Sequence, residues 1–343
     1  MSPSIRFPEF TGEWEKCKIE DITDAVSSGK SKNHFSNGEY NLYGSTGIIG
    51  RTDKALYDGK LVLVARVGAN AGFLQIINEP CGITDNTLIL KPKGIDAFYL
   101  YYFLQHFNLN RLIFGSGQPL ITGGMLKKVK VSLGTISEQS KIVKFLSLLD
   151  ERIAVQSRLI DRLQSLMIGI AQKIAHSNKP NVRISDCLEC SSSVLQESEV
   201  NKTGKYPVYG ANGIVGYIDK YHTQNEAIYI IKDGSGVGGV SYVTGKCSST
   251  GTLNILQAKN GHSLKYLYYL LKVFNFVPYK TGMAIPHIYF KDYGKAKIFC
   301  PAYPEQLEYA KLLSSIDGNL RIALDSLKNF NLQKQYLLRH MLI

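Results

Sequence analysis

The feature that most restricts this chain is that it contains the same segment twice. Tyr43-Gly-x-x-Gly47-x-x-Gly50 returns 166 positions later as Tyr209-Gly-x-x-Gly213-x-x-Gly216, and Asp53-Lys54 returns at the same shift as Asp219-Lys220. Arg66-Val-Gly68-Ala-Asn-Ala-Gly72 maps onto Lys232-Asp-Gly234-Ser-Gly-Val-Gly238, Tyr99-Leu-Tyr-Tyr102 onto Tyr266-Leu-Tyr-Tyr269, and Glu138-Gln139 onto Glu305-Gln306. A fixed-period repeat is one structural unit made twice. The fold is therefore two copies of a module, a division that suits a chain of 343 residues.

Each copy is followed by a heptad pattern. Ile142, Leu146, Leu149, Ile153, Gln156, Ile160, Leu163, Met167, Ile170 and Ile174 alternate in steps of four and three, and so do Tyr309, Leu313, Ile316, Leu320, Ala323, Leu327, Phe330, Lys334, Leu337 and Met341. Such a seam winds helices together. At 1.5 Å per residue each helix is roughly 50 Å long, and alone it would expose its apolar stripe. The two are expected to pair with each other, antiparallel, because a parallel pair needs a longer connector than the Ser177-Asn-Lys-Pro180 break provides. The polar occupants Gln156 and Lys334 are expected to fix register.

Within the first module, Ala55 to Val67, Thr87 to Leu90 and Lys128 to Leu133 read as strands and Ala97 to Asn108 as a helix. The class is α+β: residues 1–135 and 179–303 form the modules, and 136–178 and 304–343 the coiled-coil helices. Trp14 packs at the start of the first module, and the tyrosine-rich helices read as packed faces rather than stacking platforms.

Several chemistries are excluded. Gly234-Ser-Gly236-Val-Gly-Gly239 matches a dinucleotide fingerprint, but the following Val240 to Gly245 alternates like a strand and no acid follows to hold a ribose. No phosphate-binding Gly-x-x-x-x-Gly-Lys-Ser/Thr or aminomethyltransferase motif occurs, and Asp58-Gly-Lys60 is explained by a turn. Cys187-Leu-Glu-Cys190 lacks a second ligand pair at zinc spacing, so the six cysteines read as reduced structural thiols, with no metal expected. No apolar run is long enough for a membrane, and the first residues do not resemble a signal peptide, so a cytoplasmic location is expected. A net charge of +12 points to an anionic partner.

Glu13-Trp14, the two Tyr-Gly-x-x-Gly-x-x-Gly runs, Gly115-Ser-Gly-Gln118, the Glu-Gln pairs heading the heptads and the order of these motifs resemble the specificity (S) subunits of type I restriction-modification systems. The resemblance spans nearly the whole chain. It implies two target recognition domains, each reading half of an asymmetric, bipartite sequence in double-stranded DNA. It also implies an antiparallel coil that sets the spacing and docks two methyltransferase (M) subunits, through which restriction (R) subunits join. The chain would then be non-catalytic and hold no cofactor, with S-adenosylmethionine, ATP and Mg confined to the partner subunits. Half-sites facing one groove lie about 34 to 36 Å apart per helical turn, a distance a coil of roughly 50 Å spans.

The candidate DNA contacts combine charge or amide groups with glycine loops: Lys30, Lys32, Asn33, His34, Ser45, Arg51, Arg66, Asn70 and Gln118 in the first module, and Asn212, Tyr217, Lys232, Ser235, Lys280 and His287 in the second. Arg suits guanine and Asn or Gln suits adenine, while Lys mostly holds phosphate. Gly115-Ser-Gly-Gln118 has a weak second copy in Gly282-Met-Ala-Ile285, with Met283 expected to stand at the Gln118 position. A coiled-coil adaptor whose modules bind protein or carbohydrate is the alternative.

Overall fold

The computed structural model describes residues 3–32, 37–114 and 119–343. The chain divides into two compact units, Met1–Ser157 with Ser326–Ile343, and Arg158–Asp325.

In the first unit a four-stranded antiparallel sheet runs in the order Thr23–Ser28, Thr87–Pro92, Lys60–Ala65 and Leu74–Asn78. The two central strands are apolar on both faces, and each face has its own core. Val62 and Val64 join Leu88, Leu90 and the helix residues Leu100, Phe103 and Leu104 on one side, while Leu61 and Leu63 join Ile83 and Ile89 on the other. A three-stranded sheet (Gly47–Thr52, Tyr40–Gly44, Cys81–Ile83) and the pair Glu15–Lys18 with Lys130–Leu133 complete the module.

The second unit repeats this plan strand for strand. Its four-stranded sheet is Leu188–Ser192, Leu253–Ala258, Glu226–Ile231 and Val240–Thr244; its three-stranded sheet is Gly213–Ile218, Tyr206–Gly210 and Ser248–Ser249; its two-stranded pair is Val182–Arg183 with Lys297–Ile298. Even the register slip recurs, between Leu42 and Tyr43 in one and between Val208 and Tyr209 in the other. The glycine runs are turns between antiparallel strands: Gly68 and Gly72 (φ 80° and 89°) match Gly234 and Gly238 (φ 92° and 90°), left-handed positions that favour glycine. The second run leads into strand Val240–Thr244 and not a helix, which removes the setting a dinucleotide site requires.

Several element ends differ from expectation, among them that of the strand expected over Thr87 to Leu90, which runs on to Pro92. The strand expected over Ala55 to Val67 is confined to Lys60–Ala65, because Gly59 turns at φ 91°. Helix Ala97–Phe107 stops where Asn108 turns left-handed (φ 58°) and its side chain accepts from the Asn110 N–H. Lys128 caps the short helix Gly123–Lys127, so the last strand of the module is Lys130–Leu133.

The long helices are Ile136–Ala175 and Tyr303–Met341. In the first unit Ile142, Leu146 and Leu149, from the start of one helix, share a cluster with Leu337 and Met341, from the end of the other. That placement is antiparallel. In the second unit Met167 and Ala171 border a cavity of about 220 Å³ together with Leu320 and Tyr269. None of the heptad positions is exposed. Lys334 is paired, its Nζ 2.6 Å from Asp150 Oδ1.

Each helix head is tied to its module by the glutamine of its Glu-Gln pair. The buried Gln139 accepts from the Asp96 N–H (3.2 Å) and donates to Gly134 O (2.9 Å); Gln306 accepts from the Ser263 N–H (2.9 Å) and donates to Pro301 O (2.8 Å). The tyrosines of the module helices are buried braces: Tyr99 donates to Ser132 O (3.0 Å), and Tyr266 to Phe299 O (2.9 Å). Trp14 is buried beside Tyr99, where its Nε1 donates to Glu138 (3.1 Å).

Candidate nucleic-acid interface

Strand Lys60–Ala65 delivers Arg66 to a junction of three loops. Its N–H donates to Asn86 O (2.9 Å), its carbonyl accepts from the Ile121 N–H (2.9 Å), and two residues on the Gly68 N–H donates to Pro119 O (3.0 Å). The half-buried guanidinium places Nη1 3.5 Å from Ser28 Oγ, while Nε is buried with no hydrogen-bond partner among the described residues. Leaving a desolvated donor of a charged group unpaired is costly, and an arriving acceptor would remove that cost.

Other candidates gather around Asn86. Ser45 Oγ donates to Asn86 O (3.3 Å), and Lys30 and Lys32 border an open cleft of about 620 Å³ with Asp85 and Asn86. Asn70 borders a different cleft, of about 510 Å³, with Gln105, Asn108 and Asn110. Arg51 is not available as a base reader through its whole fork: Nε donates to Gly38 O (2.6 Å) and Nη2 to Glu39 O (2.7 Å). Close by, Glu79 accepts from Asn41 (2.8 Å) and Tyr43 (2.6 Å), bonds that hold its carboxyl below the ordinary carboxylate range. Asn33, His34 and Gln118 lie outside the described residues.

The second module builds the same junction around Lys232. Its N–H donates to Thr252 O (3.0 Å), its carbonyl accepts from the Ile288 N–H (2.9 Å), and the Gly234 N–H donates to Pro286 O (2.9 Å). Pro286 thus answers to Pro119, and the residue before it, Ile285 rather than Met283, answers to Gln118. Lys232 borders a cleft of about 440 Å³ with Ser192, Asn254, Tyr289 and Lys291. Lys291 Nζ lies 5.2 Å from the centroid of the Tyr289 ring, a cation held on an aromatic face.

Sequence reasoning missed Asn86 in the first module and Ser192, Asn254, Tyr289 and Lys291 in the second. The available signal was strand register, since Ser192 is paired with Asn254. His287 joins this neighbourhood, its ring 5.3 Å edge-on to Tyr289 and its Nδ1 3.1 Å from Ile285 O. Asn212 is exposed in the hairpin turn after Gly210, Ser235 is exposed on the glycine turn, and Lys280 is exposed beside Thr281. Tyr217 stands at the place of Arg51 and exchanges both main-chain bonds with Asn201 (2.8 and 3.1 Å), leaving its ring at the surface.

Two loop junctions with one main-chain pattern and unlike side chains are what a reader of two unlike half-sites requires. A sequence model described as "Type I restriction modification DNA specificity domain" matches residues 11–165 and again 177–329. The chain belongs to that family. Each matched stretch holds one module and part of the long helix that follows it. A protein named as a type I specificity subunit of Mycoplasma genitalium is 25% identical over 269 residues, 71% of this chain and 70% of that one. The crystal structure of a type I S subunit from M. genitalium superposes with a TM-score of 0.74 at 19% identity, covering 100% of this chain and 99% of that chain. A chain from a structural study of type I restriction-modification complex assembly gives 0.55 at 12% identity, over 96% and 97% of the two chains. These two solved structures speak for the fold.

Proposed function

We propose that residues 1–135 read one half of a split DNA target through the face built around Arg66 and Asn86, and that residues 179–303 read the other half through the face built around Lys232, Asn254 and Lys291. As a specificity subunit of a type I restriction-modification system, the chain is non-catalytic. It works with double-stranded DNA and methyltransferase subunits, and restriction subunits join through the latter. The helices within 136–178 and 304–343 set the distance between half-sites and dock the methyltransferases. S-adenosylmethionine, ATP and Mg serve the partner subunits in this reading. Among the described residues no helix is long and apolar enough to cross a membrane, in keeping with work on DNA in the cytoplasm.

The observation that carries this reading is the exchange of Arg66 for Lys232 inside one set of main-chain bonds, to Asn86 and Ile121 in the first module and to Thr252 and Ile288 in the second. A bidentate arginine selects guanine, whereas a lysine beside a second cation favours phosphate. No observation favours the adaptor reading.

The test is modified-base sequencing in a methylation-free host carrying this chain with its neighbouring methyltransferase. Wild type should yield a motif with two unlike halves that the methyltransferase alone does not produce. Arg66→Ala should relax one half only, with discrimination at one base pair falling by about 1–3 kcal/mol. An unchanged motif, or loss of both halves in a variant that still folds, would remove Arg66 from the reading face.

A further inference from the structure

At the base of the second module three residues bring together chemistry that the first module lacks. Cys187 ends the short helix Ile184–Cys187, His262 precedes Ser263, the N-cap of helix Leu264–Val273, and Cys300 follows the strand Lys297–Ile298 just before the second long helix. The two thiol sulfurs and a ring nitrogen of His262 all lie within 4.8 Å of one another, and Cys300 Sγ is 3.5 Å from His262 Nδ1. Both cysteines are buried and the histidine is half-buried. The main chain fixes all three. The Lys259 N–H donates to Cys187 O (2.9 Å), the His262 N–H to Lys259 O (3.1 Å), and Asn181 holds both the N–H and the carbonyl of Cys300 (2.8 Å each).

The duplication identifies the same three places in the first module. The Lys93 N–H donates to Ile22 O as the Lys259 N–H donates to Cys187 O. Ile95 stands between Gly94 (φ 65°) and the N-cap Asp96, as His262 stands between Gly261 (φ 83°) and Ser263. Leu133 precedes Gly134, which accepts from Gln139, as Cys300 precedes Pro301, which accepts from Gln306. Ile22, Ile95 and Leu133 belong to one apolar cluster. Hydrocarbon therefore suffices to fill this place, and the second module puts two thiols and an imidazole there instead.

We propose that Cys187, His262 and Cys300 are three ligands of a zinc ion. Two thiolates and an imidazole are a tetrahedral zinc donor set, with bonds of about 2.3 Å to sulfur and 2.0–2.1 Å to nitrogen. A tetrahedron with such bonds has edges of about 3.6 Å. The 3.5 Å contact between Cys300 and His262 already has that length, and Cys187 Sγ lies within 4.8 Å of both. With three protein ligands, the fourth position would be taken by water on the side of the half-buried His262. Bound metal would tie together the start of the module, the turn before its helix and the approach to the second long helix. The expected spacing rule paired Cys187 with Cys190, but Cys190 borders the Lys232 cleft instead. The ligand set is gathered from positions 187, 262 and 300 by the fold.

The test is metal analysis of the full chain, purified without chelator and dialysed against zinc-free buffer. The expected result is about one zinc per chain, and after exchange with cobalt a thiolate-to-cobalt charge-transfer band in the near ultraviolet. The triple variant Cys187→Ile, His262→Ile, Cys300→Leu installs the first module's own residues. It should keep its circular dichroism while losing the zinc and the cobalt band. Cys300→Ser and His262→Ala check the same loss singly, in case the triple variant fails to fold. Equal zinc in wild type and the variants, or no zinc in wild type, would overturn the proposal. So would a Cys187–Cys300 disulfide in peptides mapped without reduction.

Discussion

The two modules share their hydrogen bonds and differ where side chains meet something else. Both fix the same three-loop junction, brace a tyrosine against the last strand segment and tie the long helix by a glutamine. They part at the junction's side chain (Arg66 against Lys232), at the base (Ile22, Ile95 and Leu133 against Cys187, His262 and Cys300), and at the helix head. There Glu138 is buried under Arg6 (2.6 and 2.8 Å) and Trp14 (3.1 Å), whereas the side chain of Glu305 is exposed and, among the described residues, accepts only from Tyr309 (2.7 Å). The lesson is that duplication preserves a main-chain framework, because each buried backbone group left without its partner costs about 1–3 kcal/mol. Side chains that face the proposed DNA surfaces, the proposed metal site or a neighbouring segment remain free to diverge.

The largest effects should fall where the two copies are alike. Leu146 and Leu313 occupy corresponding turns of the long helices and are both essentially inaccessible (0% and 1%). Leu146→Ala and Leu313→Ala should each cost about 2–5 kcal/mol through the cavity left behind, read as a shift of the urea midpoint. A tolerant site in one unit only would show that the seams are not packed alike.

Next come the glutamine braces. Gln139→Ala strips the Asp96 N–H and the Gly134 carbonyl of partners, and Gln306→Ala does the same to Ser263 and Pro301. Each should cost about 1–3 kcal/mol, with faster amide exchange at Asp96 or at Ser263 as the local signature. Unequal losses would mean that the Arg6–Glu138–Trp14 contacts, present in one copy only, share the load at the first helix head.

Much of this was legible in the sequence because it recurs. The 166-residue shift exposed the modules, and the heptads exposed the long helices, since both are periodic signals that need no tertiary knowledge. The proposed reading faces were legible only in part. Arg66 and Lys232 were visible as cations beside glycine turns, but Asn86, Asn254 and Lys291 reach their places through strand pairing and loop return. Arg51 looked like a reader because nothing local reveals that the Gly38 and Glu39 carbonyls occupy its donors. The Cys187, His262 and Cys300 group escaped for the same reason: ligand spacing rules count along the chain, and this set closes across it.

The smallest effect sharpens the comparison most. Tyr102 and Tyr269 correspond, as do Asp150 and Asp317, yet the aspartates find their cations differently. Asp150 takes Lys334 from the other long helix (2.6 Å), and Tyr102 also donates to it (2.8 Å). Asp317 takes Arg321 from one turn along its own helix (3.0 Å), so the seam place answering to Lys334 is free to be Met167. Lys334→Met copies that seam residue into the first unit and leaves Asp150 with Tyr102 as its side-chain partner among the described residues. Because the pair is partly exposed (16% and 35%), the loss should stay below about 1 kcal/mol and shrink in high salt. Ala154→Arg, at the place answering to Arg321, should restore it by giving Asp150 a cation from its own helix. Urea midpoints of the single and double variants at low and high salt decide the matter. Recovery in the double variant would show that either source of charge serves the same aspartate. A Lys334→Met variant more stable than wild type would mean that the lysine weakens the seam and is kept for register instead.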